Sequence, residues 1–141
     1  MFQSPPTITD FHRVFLIDEM MTVNVYNQKV LKKRFPESTI EAFKNPLEAL
    51  VALKKVIEAG ELQSTLFLIE VRMSQIDGFE FVDLIDELYH PQADERPNWR
   101  FVALTIDDSI RTQELVNRST LLHGALPKPL NIAQLENLLM A

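Results

Sequence analysis

No cysteine occurs in the chain, so a disulfide framework, thiolate chemistry and a cysteine-based zinc site are excluded. Glycine is nearly as scarce: Gly60, Gly78 and Gly124 are the only three. Neither G-x-G-x-x-G nor G-x-x-x-x-G-K-[ST] can be written with them, which argues against an enzyme built around NAD, FAD or ATP. Positive charge is also in deficit, with 14 Lys and Arg against 20 Asp and Glu and a net charge of −6. Nucleic-acid binding rests largely on cations that neutralise phosphates, so nucleic acid is not an expected partner. No run approaches the roughly 18–20 apolar residues needed to span a bilayer, and no membrane association is expected. Residues 1–10 lack both a basic start and an apolar core, so they do not read as a signal peptide. With Pro5 and Pro6 they read as a loose arm, and residues 11–141 as a single domain. The three histidines, His12, His90 and His123, are widely spaced and read as surface or loop residues rather than metal ligands.

What is present is a repeating order of elements. Short apolar runs occupy residues 14–17, 66–69 and 101–104, with a weaker one at Ala125 and Leu126. Each is apolar at consecutive positions, as expected of strands buried on both faces. Residues 39–43 suit a more peripheral strand. Helical patterns lie between them. Val23, Tyr26, Val30 and Leu31 mark a first helix that closes on Lys32, Lys33 and Arg34, cations suited to the negative end of the helix dipole. Asn45-Pro46-Leu47-Glu48 reads as an N-cap, a proline at the first helical position and a capping-box partner, and Gly60 is placed to end that helix. Phe79, Val82 and Ile85 mark a third helix, and a fourth is expected to begin near Asp107 or Asp108. A fifth runs from Asn131, capped with Gln134 and carrying Leu135, Leu138 and Leu139 inward. Residues 90–100 read as a long surface loop, with Trp99 opening the fourth strand as an anchor for it. Five alternations of strand and helix predict an α/β fold: a doubly wound, five-stranded parallel sheet.

In such sheets, ligands bind beyond the carboxyl ends of the strands. Asp18 and Glu19 follow the first strand, Glu70 follows the third, Thr105 follows the fourth, and Lys128 stands between two prolines after the last. Carboxylates can hold a hard divalent cation, and a lysine and a hydroxyl can bind phosphoryl oxygens. Any one of these residues alone reads as a helix cap or a solvated strand end, but caps do not explain all five in this order.

The segments VFLIDEM, LFLIEVRMSQIDGFEF, FVALTIDDS and GALPKPL resemble the signature segments of response-regulator receiver domains, over residues 11–140. The resemblance implies flavodoxin-like (receiver) topology and a cytoplasmic, non-enzymatic role in two-component phosphorelay signalling. It also implies a histidine kinase or other signalling protein as partner. Asp18 and Glu19 would take the acidic-pair positions of a magnesium site, Glu70 that of the phosphoacceptor aspartate, and Thr105 and Lys128 those that sense the phosphate. The Arg72 carbonyl would complete the metal site, Asp77-Gly78 the turn into the third helix, and Lys128-Pro129 a peptide bond often cis in the family.

The departures from that pattern matter as much. The extra methylene of Glu70 moves its oxygens by about 1.5 Å, and misplacement of about 1 Å can cost on the order of a hundredfold in a reaction governed by positioning. The Arg72 guanidinium is expected to fold back onto Asp18, Glu19 or Glu70 and weaken any Mg2+ site. Ile106 is bulky where the family keeps a small residue, Ser74 replaces a familiar proline, and Ala125 stands where an aromatic switch residue is expected. These changes favour a stand-alone pseudo-receiver that acts through protein–protein contacts, with Glu70 as a crude phosphomimic able to pair with Lys128 and Thr105. A receiver still active in phosphotransfer with Mg2+ is the alternative, and a small flavodoxin-like catalyst is the alternative from the enzyme class. Arg111, Glu114 and Arg118 of the fourth helix, with Gln134 and Asn137 of the last, are the expected working surface, which could support a homodimer.

Overall fold

The computed structural model describes residues 11–61, 63–89 and 99–140. The arm at residues 1–10, His90 and most of the loop expected at 90–100 lie outside the described residues. Strands β1 (Arg13–Ile17), β2 (Thr39–Phe43), β3 (Thr65–Ile69), β4 (Trp99–Thr105) and β5 (Leu122–Pro127) alternate with helices α1 (Met21–Arg34), α2 (Pro46–Glu58), α3 (Gly78–Tyr89), α4 (Ile110–Arg118) and α5 (Ile132–Met140). All strand pairs are parallel, in the order β2-β1-β3-β4-β5. The chain winds outward from β1 to β2 on one side and through β3, β4 and β5 on the other. Its topological switch therefore lies between β1 and β3, where Ile17 pairs with Ile69.

Consecutive apolar residues feed two cores because strand side chains alternate between faces. Val14, Leu16, Leu66, Leu68, Val102 and Leu104 pack with Leu31 and Phe35, at the end of α1, and with Leu135 and Leu139 of α5. Phe15, Ile17, Phe67, Ile69 and Phe101 pack beneath α2 and α3. The Phe67 and Phe101 rings stack at 4.6 Å between centroids, and Phe15 meets Phe67 edge-on at 5.4 Å. Phe81 is fully buried in this layer, while Phe79 is only partly covered.

Several local expectations hold for identifiable reasons. Asn45 caps α2 by accepting from the Leu47 N–H at 2.8 Å. Gly60, with φ of +72°, ends it in a Schellman turn: its N–H reaches the Ile57 carbonyl and the Glu61 N–H reaches that of Val56, both at 3.0 Å. A reciprocal capping box forms at α3, where Glu80 N–H donates to Asp77 Oδ1 at 2.8 Å and Asp77 N–H to Glu80 Oε1 at 3.3 Å.

Three expectations are corrected. The inward face of α1 carries Asn24, Asn27 and Leu31, and Tyr26 is 47% exposed. The Asn24 amide sets this phase by donating to the Asp18 carbonyl at 2.9 Å and the Phe43 carbonyl at 3.4 Å, tying α1 to the ends of two strands. Helix α4 begins at Ile110, because Ser109 provides the cap to Thr112 N–H at 3.2 Å while Asp107 is used in the preceding turn. Arg100, read as the end of the loop, is instead the second residue of β4, which Trp99 opens as expected.

A Cβ built on Gly78 would stand 2.6 Å from the Glu70 carbonyl oxygen. Backbone cannot yield there as a flexible side chain would. Gly78→Ala is therefore expected to lower stability by about 1–3 kcal/mol, measured by urea unfolding, with the largest amide shifts at Glu70 and Val71.

Candidate functional site

The pairing of Ile17 with Ile69 sets the next residues, Asp18 and Glu70, side by side beyond the sheet edge. Both are buried, at 5% and 7% exposure. Lys128, delivered by the turn after β5 with a cis bond to Pro129, places its ammonium between them. Its Nζ donates to Asp18 Oδ2 and, at 2.8 Å, to Glu70 Oε1. The remaining oxygens of the pair are also taken, Asp18 Oδ1 by the Met20 N–H at 2.8 Å and Glu70 Oε2 by the Val71 N–H at 2.6 Å. The longer glutamate thus lets one carboxylate reach the lysine while folding back on its own following amide.

Glu19 does not join them. It turns away to Ser74, whose N–H donates to Glu19 Oε1 and whose hydroxyl lies 2.6 Å from Oε2. Sequence reasoning missed this role for Ser74, although the signal was available: serine supplies two donors where a proline has no N–H. As placed, the three carboxylates offer no unclaimed oxygen to a divalent cation. Among the described residues no group of three or more acidic or imidazole side chains is assembled for a metal. The donor set therefore does not fit magnesium in this arrangement.

The Arg72 side chain departs from expectation. It is 74% exposed and donates from Nε to Asp107 Oδ2 at 2.6 Å, rather than covering the acidic pair. The internal cation is Lys128. Asp107 wins the guanidinium because it is already fixed by Thr112 Oγ1 at 2.7 Å and by the Ser109 N–H at 3.0 Å. Arg72 foremost, then Thr112 and Ser109, hold the Asp107 carboxyl far below the usual carboxylate range. The hydrogen bond and charge of Asp107 in turn raise the pKa of Arg72. This bridge joins the loop after β3 to the loop after β4. Thr105 is buried, and its hydroxyl accepts from the Asp107 N–H at 3.0 Å. Of the two pairings expected for Glu70, the one with Lys128 is formed, while the Thr105 oxygen is engaged by Asp107. Ile106 does not crowd the site from within: it is 76% exposed at the lip. Arg111 and Arg118 line clefts on the α3 side of α4, whereas Gln113 and Val116 face β5. They are thus on the other flank of the helix from the expected α4–β5–α5 surface.

No protein-family model matches the chain, and no curated protein does. Solved structures do. A two-component response regulator from Cytophaga hutchinsonii superposes with a TM-score of 0.80 at 23% identity, over 94% of this chain and 96% of the other. A response regulator receiver protein from Dyadobacter fermentans gives 0.76 at 22% identity, over 90% and 94%. The fold is that of a response-regulator receiver domain. The receiver domain of Ssk1 from Saccharomyces cerevisiae, solved with the histidine phosphotransfer protein Ypd1, is similar as well: TM-score 0.69, 19% identity, 91% of this chain and 86% of that one. On this receiver fold, the carboxyl edge of the sheet carries Asp18, Glu70, Thr105 and Lys128 in the order read from the sequence. Among the described residues, no helix is long and apolar enough to cross a membrane.

Burial works against the Lys128 charge, but the hydrogen bonds and charges of Asp18 and Glu70 outweigh it and raise its pKa above the ordinary lysine value. The stabilisation is therefore complete below the unfolded pKa of about 10.4 and is lost as pH rises through the higher folded value. Lys128→Met should cost on the order of 3 kcal/mol at neutral pH, because it leaves two buried carboxylates facing each other. Glu70→Gln in the Lys128→Met background should recover part of it. Guanidinium unfolding from pH 7 to 11 checks both: the difference between wild type and Lys128→Met should be flat to about pH 10 and shrink above it.

Proposed function

We propose that the chain is a pseudo-receiver, a signalling domain that works by binding protein partners while its phosphoacceptor site is held closed by its own lysine. The observation that carries this reading is the Lys128 ammonium, 2.8 Å from Glu70 Oε1 and bonded also to Asp18. In phosphoryl transfer the protein contributes mainly positioning and charge compensation around the transferred group. Here the acceptor-position carboxylate is one methylene longer than an aspartate's, both its oxygens are engaged, and the cation beside it is covalently part of the chain. Glu70 supplies one negative charge to Lys128, against the roughly −1.5 to −2 of a phosphoryl group. The fixed pair therefore stands as a permanent, weaker version of the contact a phosphate would make.

The partner class follows from the fold. A receiver domain of this architecture has been captured on a histidine phosphotransfer protein, and a partner of that kind, or a histidine kinase, is the proposed one for this chain. Magnesium is displaced from the working state by Lys128, and the domain does no chemistry of its own.

With acetyl phosphate and magnesium, intact mass spectrometry should show the unmodified chain. Stoichiometric addition of one phosphoryl group at Glu70 would overturn the reading. Calorimetry separates the two candidate internal cations: Lys128→Ala should bind magnesium more tightly than wild type, and Arg72→Ala should not. The reverse order would assign the competing charge to Arg72.

A further inference from the structure

Two clefts of about 360 Å³ and about 260 Å³ open between α3 and α4. Phe79 and Leu115 line both, so the two join into one groove with an apolar seam. The α3 wall carries Phe79, Asp83 and Asp86, and the α4 wall carries Arg111, Leu115 and Arg118. Each set is spaced i, i+4, i+7, which places it on one face of its helix. The walls are therefore matched stripes, one acidic and one basic, each with a large apolar residue. This flank of α4 is opposite the one toward β5, where Gln113 and Val116 lie.

The opposite charges do not meet within the chain. Asp83 and Arg118 line the same cleft, yet Asp83, Arg111 and Arg118 are exposed and have no side-chain partner among the described residues. An occupant of the groove must bring an anion for the α4 wall, a cation for the α3 wall and apolar groups for the seam, all at helical spacing. A second copy of this chain brings all three. Helices α3 and α4 follow parallel strands and so run in the same direction. A two-fold axis along the groove then sets α3 of one protomer over α4 of its partner, and every contact occurs twice. Asp83 meets Arg118 across the interface, and Phe79 packs on Leu115.

We propose that the chain forms a homodimer through the α3–α4 groove, joined by two symmetric Asp83–Arg118 ion pairs about a seam of Phe79 and Leu115. The face is only two short helices wide, so it belongs with interfaces below about 1,200 Å² and the association is weak. The proposal deepens the reading of the chain as a partner-binding module and fails separately from it: phosphorylation at Glu70 would overturn that reading and leave the groove charges unchanged.

Sedimentation velocity over a range of concentrations, on the full chain, provides the test. Wild type should show a monomer–dimer equilibrium. Asp83→Arg and Arg118→Glu should each weaken it by about tenfold or more, since each turns two attractive pairs into repulsive ones. Mixed in equal amounts, the two variants should recover association close to that of wild type, because one then carries both cations and the other both anions. That recovery would also show that both variants are folded. Diffuse repulsion predicts the contrary for one of them: Asp83→Arg brings the net charge of −6 closer to zero and would strengthen association. A wild type that stays monomeric at millimolar concentration, a dimer indifferent to Asp83→Arg, or a mixture no more associated than its components would overturn the proposal.

Discussion

An ammonium held between two buried carboxylates on neighbouring strands is the constraint on which the rest of this molecule turns. It compensates the burial of Asp18 and Glu70 to 5% and 7% exposure, since an isolated buried charge costs far more than a folded domain has to spare. The lysine that answers them lies 110 residues from Asp18 and 58 from Glu70 in sequence. The whole winding of the sheet is needed to bring β5 within reach of β1 and β3. Chain topology and site electrostatics are thus one problem: a sheet that slipped by a residue would bury two anions and leave their cation in water.

The same logic explains why the surrounding loops are so thoroughly hydrogen-bonded. Glu19 is taken by Ser74, Asp107 by Arg72, Thr112 and Ser109, and Thr105 by Asp107. Asp18, Glu19, Glu70 and Asp107 are thereby each assigned a partner within the chain. Gly78 then lets α3 begin directly against the Glu70 carbonyl, with no room for a side chain. What results is an edge with the residue order of a phosphoryl-transfer site and the internal bonding of a structural one.

Much of this was legible in the sequence, because strand order and strand-end chemistry are local signals. Four consecutive apolar residues followed by an acid identify a central strand and its functional end together at Asp18 and Glu70, while Thr105 and Lys128 were found by their places after the last two strands. Helix phase was harder. The inward face of α1 is set by Asn24 and its backbone partners, a polar choice that apolar periodicity cannot reveal. The destination of a long side chain was harder still: Arg72 had four carboxylates within plausible reach, and the winner was the one pre-ordered by Thr112 and Ser109. Such outcomes depend on which acceptor is already held in place, and that is known only once the loops are.

The single tryptophan lends the architecture a practical property. Trp99 opens β4 and packs against Phe67, Tyr89 and Phe101, whereas Thr105 closes the same strand at the functional edge. At about 3.3 Å per residue the two ends lie about 20 Å apart. Indole emission is consequently an intrinsic optical gauge of the aromatic layer and of global unfolding, insulated by distance from charge rearrangements at the opposite rim.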